Sequence, residues 1–197
     1  MKIDNYKIEN WFPVPILSHY APEWSKKLLK PSLKYLDYEK INKERFYKGR
    51  TTYDTKYNLA TQPEYKGFVT YLKQVAKTYL TDLGFNYSEI SKKFDPYFFT
   101  TELNQGSYQE RHIHNYQLSG ILYLKVPPGS AQINFCDPVH VREYVSWPVL
   151  DSKNPNTFGS ITYEPGVGNL LLWPSWLYHE VPTHKINDNR IGLVLNL

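Results

Sequence analysis

Four residues in the last 86 positions of this 197-residue chain carry types and spacings that could do chemistry. They are His112 and His114 in "RHIHN", His179 in "PSWLYHEVP" and Arg190 in "NRIGLVLNL". Two histidines one residue apart share one side of an extended strand, because strand side chains alternate with a period of two. A third histidine on a distant strand can close a facial metal site, and neutral imidazole nitrogen suits iron, copper or zinc. An arginine one short hairpin later offers a planar fork for a carboxylate. The order points to non-haem iron chemistry with a carboxylate-bearing co-substrate.

Each residue taken singly has an ordinary explanation. His-x-His pairs are common, a strand-end histidine is usually a surface group, and an arginine opening a strand usually reaches solvent. Arg190 is the least ordinary, since it opens an otherwise apolar run where an inward charge needs a partner.

The elements that must position these residues are short strands. From residue 96 onward, "PYFFTTELN", "SGILYLKV", "AQINFCD", "VREYVSW", "GSITYEP", "NLLLWPS", "HEVP" and "RIGLVLNL" are rich in β-branched and aromatic residues, with turn signals such as "PPGS" and "PGVGN" between them. About eight such strands predict a two-sheet jelly roll with the histidines near its mouth. Upstream, "WFPVPIL" over 11–17 alternates proline with apolar residues, as in an extended edge strand. Residues 22–40 read as a helix broken at Pro31, with Trp24, Leu28 and Leu29 on one face. Thr61 and Glu64 have capping-box spacing ahead of a helix through Phe68, Leu72, Val75, Tyr79 and Leu83, stopped by Gly84. A short helix follows near 87–93. The expectation is a single domain over 1–197. Its first 95 residues form an extended segment and supporting helices, and residues 96–197 form the core, mainly β, with helices packed on one sheet.

Composition excludes several classes. The lone cysteine, Cys136, rules out an intrachain disulfide or a cysteine zinc cage and reads as a small buried hydrophobe. No apolar run is long enough to span a membrane, and "MKIDNYKIEN" lacks the apolar core of a leader, so a cytoplasmic, reducing setting is expected. The net charge of +4 is concentrated in the N-terminal half. Lys26, Lys27, Lys30 and Lys34 read as a solvated helix face, and no motif indicates nucleic acid. The composition leaves the oligomeric state open.

With these motifs in place, the chain resembles the Fe(II)/2-oxoglutarate-dependent oxygenase superfamily, most closely a prolyl-hydroxylase-like branch with an His-x-His…His…Arg pattern. "RHIHNYQLSGILYLKVPPGSAQINFCDP", "GNLLLWPSWLYHEVP…NRIGLVLNL" and "WFPVPIL" carry the resemblance. It implies a double-stranded β-helix (cupin-like jelly-roll) core. It also implies Fe(II) as metal, with 2-oxoglutarate and O2 as co-substrates. His112 and His179 would be iron ligands, Arg190 would bind the far carboxylate of 2-oxoglutarate, and Tyr123 in "ILYLK" would donate to the same carboxylate. The implied reaction is hydroxylation of a small molecule or peptide, a prolyl residue by analogy, with release of succinate and CO2. His114 departs from the superfamily pattern, which has Asp or Glu there, and leaves the site one negative charge short. The related branch also carries His-x-His, so the departure need not mean a dead site, and His114 is the expected third ligand unless it turns away from the metal. Asp137 and Glu180 are its substitutes, with Glu180 expected to face away from His179. Asn104, Arg111 and Ser119 are further pocket candidates, and His19, His140 and His184 read as surface residues.

Two other readings stay open. One is a cupin-like three-histidine metalloenzyme that does not use 2-oxoglutarate, such as a thiol dioxygenase or an isomerase. The other is a non-enzymatic jelly-roll binding module. The first reading alone needs Arg190 inside the barrel, facing the metal.

Overall fold

The computed structural model describes residues 7, 12–38, 49–139, 148, 150–151, 154 and 157–197. Two antiparallel sheets face each other. The larger contains β1 (Leu17–Tyr20), β2 (Arg50–Thr51), β3 (Tyr97–Leu103), β5 (Leu118–Lys125), β8 (Asn169–Pro174) and β10 (Arg190–Asn196), in the order β1-β8-β5-β10-β3-β2. The smaller contains β4 (Gln109–His112), β6 (Ile133–Cys136), β7 (Ser160–Tyr163) and β9 (His179–Val181), in the order β4-β9-β6-β7. This is the expected jelly roll, with strands that pair far from their sequence neighbours.

The long strands of the larger sheet are buried on both faces, which explains their nearly continuous apolar runs. Alternation sorts them into two cores. Leu118, Leu122 and Leu124 of β5, Leu170 and Leu172 of β8, and Leu193 and Leu195 of β10 face the helices. Ile121 and Tyr123 of β5, with Leu171 and Trp173 of β8, face the smaller sheet. Gly120 shows how tight the sheet is. A Cβ there would lie 2.5 Å from Leu172 Cδ2 and 2.6 Å from the Leu171 carbonyl oxygen, which is backbone and cannot yield. Gly120→Ala is therefore expected to destabilise the fold by about 1–3 kcal/mol, read as a lower urea midpoint.

Helix α1 runs unbroken over Pro22–Tyr38, with Pro31 inside it. The expected break does not occur because Leu28, Ser32, Tyr35 and Leu36 bury on both sides of the proline. Trp24 and Leu29 pack at the edge of the same core. Ser25 Oγ, also buried, donates to the Tyr123 carbonyl at 2.7 Å and ties the helix to β5. Helix α2 spans Lys66–Asp82 and buries Phe68, Leu72, Ala76, Tyr79 and Leu80. Val75 is only partly buried and Leu83 is exposed beyond the helix end, while Gly84 takes φ 81° as a helix stop requires.

The Thr61–Glu64 capping box does not form. Two 3₁₀ turns, Leu59–Thr61 and Pro63–Tyr65, occupy that stretch, and Asn58 caps the first of them. Thr61 Oγ1 donates to the Asn58 carbonyl instead. The fully buried Tyr65, hydrogen-bonded to Ser32 at 2.9 Å, sets where α2 begins. A short helix, α3 (Tyr87–Ile90), continues into a 3₁₀ turn at Ser91–Lys93.

The expected edge strand starts later than "WFPVPIL" places it, since β1 opens at Leu17. Trp11 and the "VREYVSW" strand lie outside the described residues. No helix among the described residues is long and apolar enough to cross a membrane.

Candidate active site

His112 ends β4 and stands directly opposite His179, which opens β9, so antiparallel pairing alone brings two imidazoles together. Their ring centroids are 4.2 Å apart. The β4–β9 register shifts between Gln109 and His112, and this bulge turns both residues, three apart, into one cavity. His114 lies one turn of the pleat past the end of β4. Its N–H donates to the Ser175 carbonyl at 3.1 Å, which docks it beside the end of β8.

The hydrogen bonds fix the tautomers. Nδ1–H of His112 donates to the Glu110 carbonyl at 2.7 Å, that of His114 to Asn196 Oδ1 at 2.7 Å, and that of His179 to the Leu177 carbonyl at 2.9 Å. Each Nε2 is then left with a lone pair. His112 Nε2 and His114 Nε2 are 3.1 Å apart, and one ligand nitrogen from each of the three rings lies within 4.8 Å of the others. Two facing lone pairs with no proton between them repel, and a cation relieves that. Metal bonds of about 2.1 Å at right angles need donors about 3 Å apart, the spacing of the first pair. Outer nitrogens anchored to carbonyls and an amide are the usual surroundings of metal-bound histidines. Burial disfavours the imidazolium in all three rings. It lowers His112 and His114 and pushes His179 to about 3, where the neighbouring His112 adds to the effect. The site is therefore neutral and ready to accept a cation at ordinary pH.

Asn196 is a residue that sequence reasoning missed. Its side chain accepts from His114 and, at 3.1 Å, from Ser119 Oγ, which also contacts Ser175 Oγ at 2.8 Å. The signal was a lone amide inside "LVLNL". Asn196→Ala is expected to weaken metal binding by about 10–100-fold, measured by competition with a chelator.

The cavity holding the three histidines has a volume of about 590 Å³, and Arg190 lines it too. Arg190 is 2 % exposed. Its Nη1 donates to the Ala131 carbonyl and its guanidinium lies 5.4 Å from the Tyr123 ring centre. Its Nε has no partner among the described residues, nor has the buried Tyr123 hydroxyl. The acidic residue nearest in register is Glu102, paired with Ile191 on β3. Glu102 is already held by Arg50 and Asn189. Burial shifts Arg190 down and Tyr123 up, since neither charged form is solvated. A cationic fork and a hydroxyl, buried side by side with unused donors, fit a carboxylate brought in from outside.

The remaining candidates separate clearly. Ser119 sits behind His114 rather than in the cavity wall, and Asn104 lies in a turn where its N–H donates to Ser107 Oγ. Arg111 and Glu180 face each other at 3.7 Å, and Glu180 also accepts from Asn134. Neither lines the cavity, nor does Asp137, and among the described residues the histidine cluster contains no carboxylate. His19 is exposed and bonded to the Tyr71 hydroxyl. His184, expected at the surface, is fully buried, with its ring bonded to the Ala131 N–H and the Asp188 carbonyl. His140 lies outside the described residues.

Residues 98–196 match the model of the family described as "Putative 2OG-Fe(II) oxygenase". The chain belongs to this family of 2-oxoglutarate- and Fe(II)-dependent oxygenases. The family works with Fe(II), 2-oxoglutarate and O2, and its reactions are oxidoreductions. No curated protein matches the oxygenase by sequence. Among solved structures it is similar to a Pseudomonas putida prolyl-4-hydroxylase, with TM-score 0.63 and 14 % identity over 93 % of this chain and 91 % of that one. HygX from Streptomyces hygroscopicus, solved with nickel and 2-oxoglutarate, gives 0.57 and 12 % over 92 % and 82 %. A Trichoplax adhaerens prolyl hydroxylase, solved with a hypoxia-inducible-factor peptide, gives 0.55 and 14 % over 92 % and 82 %. At these identities the likeness is one of fold, the double-stranded β-helix.

Proposed function

We propose that this oxygenase is a hydroxylase in which His112, His114 and His179 hold Fe(II) while Arg190 and Tyr123 hold the far carboxylate of 2-oxoglutarate. One observation carries the reading: Arg190 is a buried guanidinium with no protein anion among the described residues, lining the same cavity as three converging imidazoles. A three-histidine enzyme that did without 2-oxoglutarate would have no use for that unpaired charge, which is unfavourable to bury.

Bound Fe(II) supplies the oxidising chemistry. With 2-oxoglutarate and O2 it would hydroxylate a substrate C–H bond, one oxygen atom going to the substrate and the other to succinate as CO2 is released. The chain's part is positioning. The three Nε2 lone pairs face one point because carbonyls and Asn196 occupy every Nδ1–H. Arg190 and Tyr123 orient the co-substrate by its far end, which leaves its 2-oxo acid end for the metal. Ile121, Ile133 and Trp173 wall the cavity with apolar surface and keep water from the reacting groups.

Among the described lining residues Arg190 is the only fixed charge, and Tyr53, Phe99 and Tyr116 line the cavity as well. That lining suits an uncharged substrate group with apolar surface, such as a prolyl or other peptide side chain.

Fe(II) and 2-oxoglutarate added without oxygen are expected to give the weak visible charge-transfer band of a chelate. Protein that binds iron but shows no band with 2-oxoglutarate would sink this reading.

A further inference from the structure

His184 is fully buried on the segment joining β9 to β10, and the groups around its ring leave it one arrangement. Nδ1 accepts from the Ala131 N–H at 3.2 Å, and Nε2–H donates to the Asp188 carbonyl at 2.7 Å. The backbone of His184 is fixed as well, since its N–H donates to the Ser107 carbonyl and its carbonyl accepts from the Gly106 N–H, both at 2.7 Å. The ring therefore bridges two short segments that meet at Arg190. Ala131 supplies the carbonyl that takes Arg190 Nη1, and Asp188 lies two residues before Arg190. Apart from the Tyr123 ring, that carbonyl is the one partner of the guanidinium among the described residues. The place of residue 131 thus sets the direction in which the free Nε edge points.

We infer that His184 is a positioning residue for the co-substrate clamp: by holding Ala131 it aims Arg190 and so sets the preference for a 2-oxo acid with a second carboxylate. The inference rests on the proposed role of Arg190. It assigns His184 no contact with metal, co-substrate or substrate. The physical reason is stiffness. A carboxylate gains most from a guanidinium whose fork is already oriented, because ordering it on binding weakens the gain. A charged side chain held by a carbonyl in an irregular stretch keeps its aim only if that stretch is itself pinned, and the imidazole is the pin.

Two substitutions separate this role from a general loss of packing. Asn places an amide oxygen near the Nδ1 position and keeps an acceptor for the Ala131 N–H. Gln places its amide nitrogen near the Nε2 position and keeps only the donor to Asp188. The 197-residue chain loaded with Mn(II), which avoids turnover, would be titrated calorimetrically with 2-oxoglutarate and with 2-oxobutyrate. The second ligand shares the 2-oxo acid end and lacks the far carboxylate. His184→Gln is expected to weaken 2-oxoglutarate about tenfold and leave 2-oxobutyrate and Mn(II) affinity unchanged, whereas His184→Asn should stay within about threefold of wild type. Equal weakening of both ligands, equal behaviour of the two variants, or no change in His184→Gln would each overturn the inference. If His184→Gln does not fold, Ala131→Pro removes the same hydrogen bond from its donor side. It should reproduce the selective loss, and an unaltered preference in that variant would overturn the inference. Wild-type protein that binds the two ligands equally would instead remove the Arg190 clamp itself, and this inference with it.

Discussion

His179→Ala protein is expected to bind Fe(II) at least about a hundredfold more weakly than wild type, from a loss of roughly 3 kcal/mol per ligand. A chelator competition measures this, and unchanged affinity would remove His179 from the metal site. The same variant should change the acid stability of the metal-free protein. The folded state holds His179 at about 3, against about 6.5 for an ordinary histidine. As pH falls below about 6.5 the unfolded chain takes up a proton that the folded chain refuses, so stability is present above that pH and is lost progressively toward pH 3. A shift of this size corresponds to roughly 4–5 kcal/mol. Carboxylates add their own acid sensitivity, and the difference between variant and wild type isolates the histidine. Urea midpoints at pH 7, 5.5 and 4.5 should therefore fall less steeply in His179→Ala, and parallel slopes would contradict the assigned burial effect. Fe(II) bound to the folded form should raise the wild-type midpoint at neutral pH and raise that of the variant much less.

The histidines and Arg190 were legible because strand alternation is simple and survives folding. The period of two joining His112 to His114 predicted a shared side, and the rings do converge, although by another route. The strand stops at His112, and the Ser175 carbonyl with Asn196 brings His114 into line. Neither contact is local in sequence, so no spacing rule could reveal it. The bulge in β4 is likewise a property of the pair of strands and not of "QERH" alone.

Misread elements fail for the same reason. Pro31 and the Thr61–Glu64 pair are sound local signals, overridden by burial of Ser32, Tyr35 and Tyr65 in a shared helix–helix contact. His184 reads as a surface residue from sequence, and the segments at Gly106–Ser107 and at Ala131 that hydrogen-bond to it are remote in the chain. Glu102 carries no sequence mark of its role. Only the structure shows that Arg50 and Asn189 take up its carboxylate and leave Arg190 without an anion partner among the described residues.

Arg190→Met should make the metal-free protein more stable and much less able to bind 2-oxoglutarate. The wild-type guanidinium is stripped of water, and burial already pulls its pKa down. It has one carbonyl and one aromatic face in compensation, with Nε unused. Burying an ion with so few partners is unfavourable by several kcal/mol, and apolar replacements of similar volume at such positions are commonly neutral or stabilising by about 1–4 kcal/mol. Methionine is unbranched and flexible enough to fill the same slot beside Tyr123. The co-substrate meanwhile loses a buried charge-assisted pair worth about 2–5 kcal/mol, so its affinity should drop by more than about thirtyfold. Arg190→Lys tests geometry apart from charge, because a point ammonium cannot offer the planar fork and should restore only part of the affinity. The two effects of Arg190→Met have opposite signs, which a merely disruptive substitution would not give. Loss of stability together with intact 2-oxoglutarate binding would mean that Arg190 serves the fold and not the co-substrate.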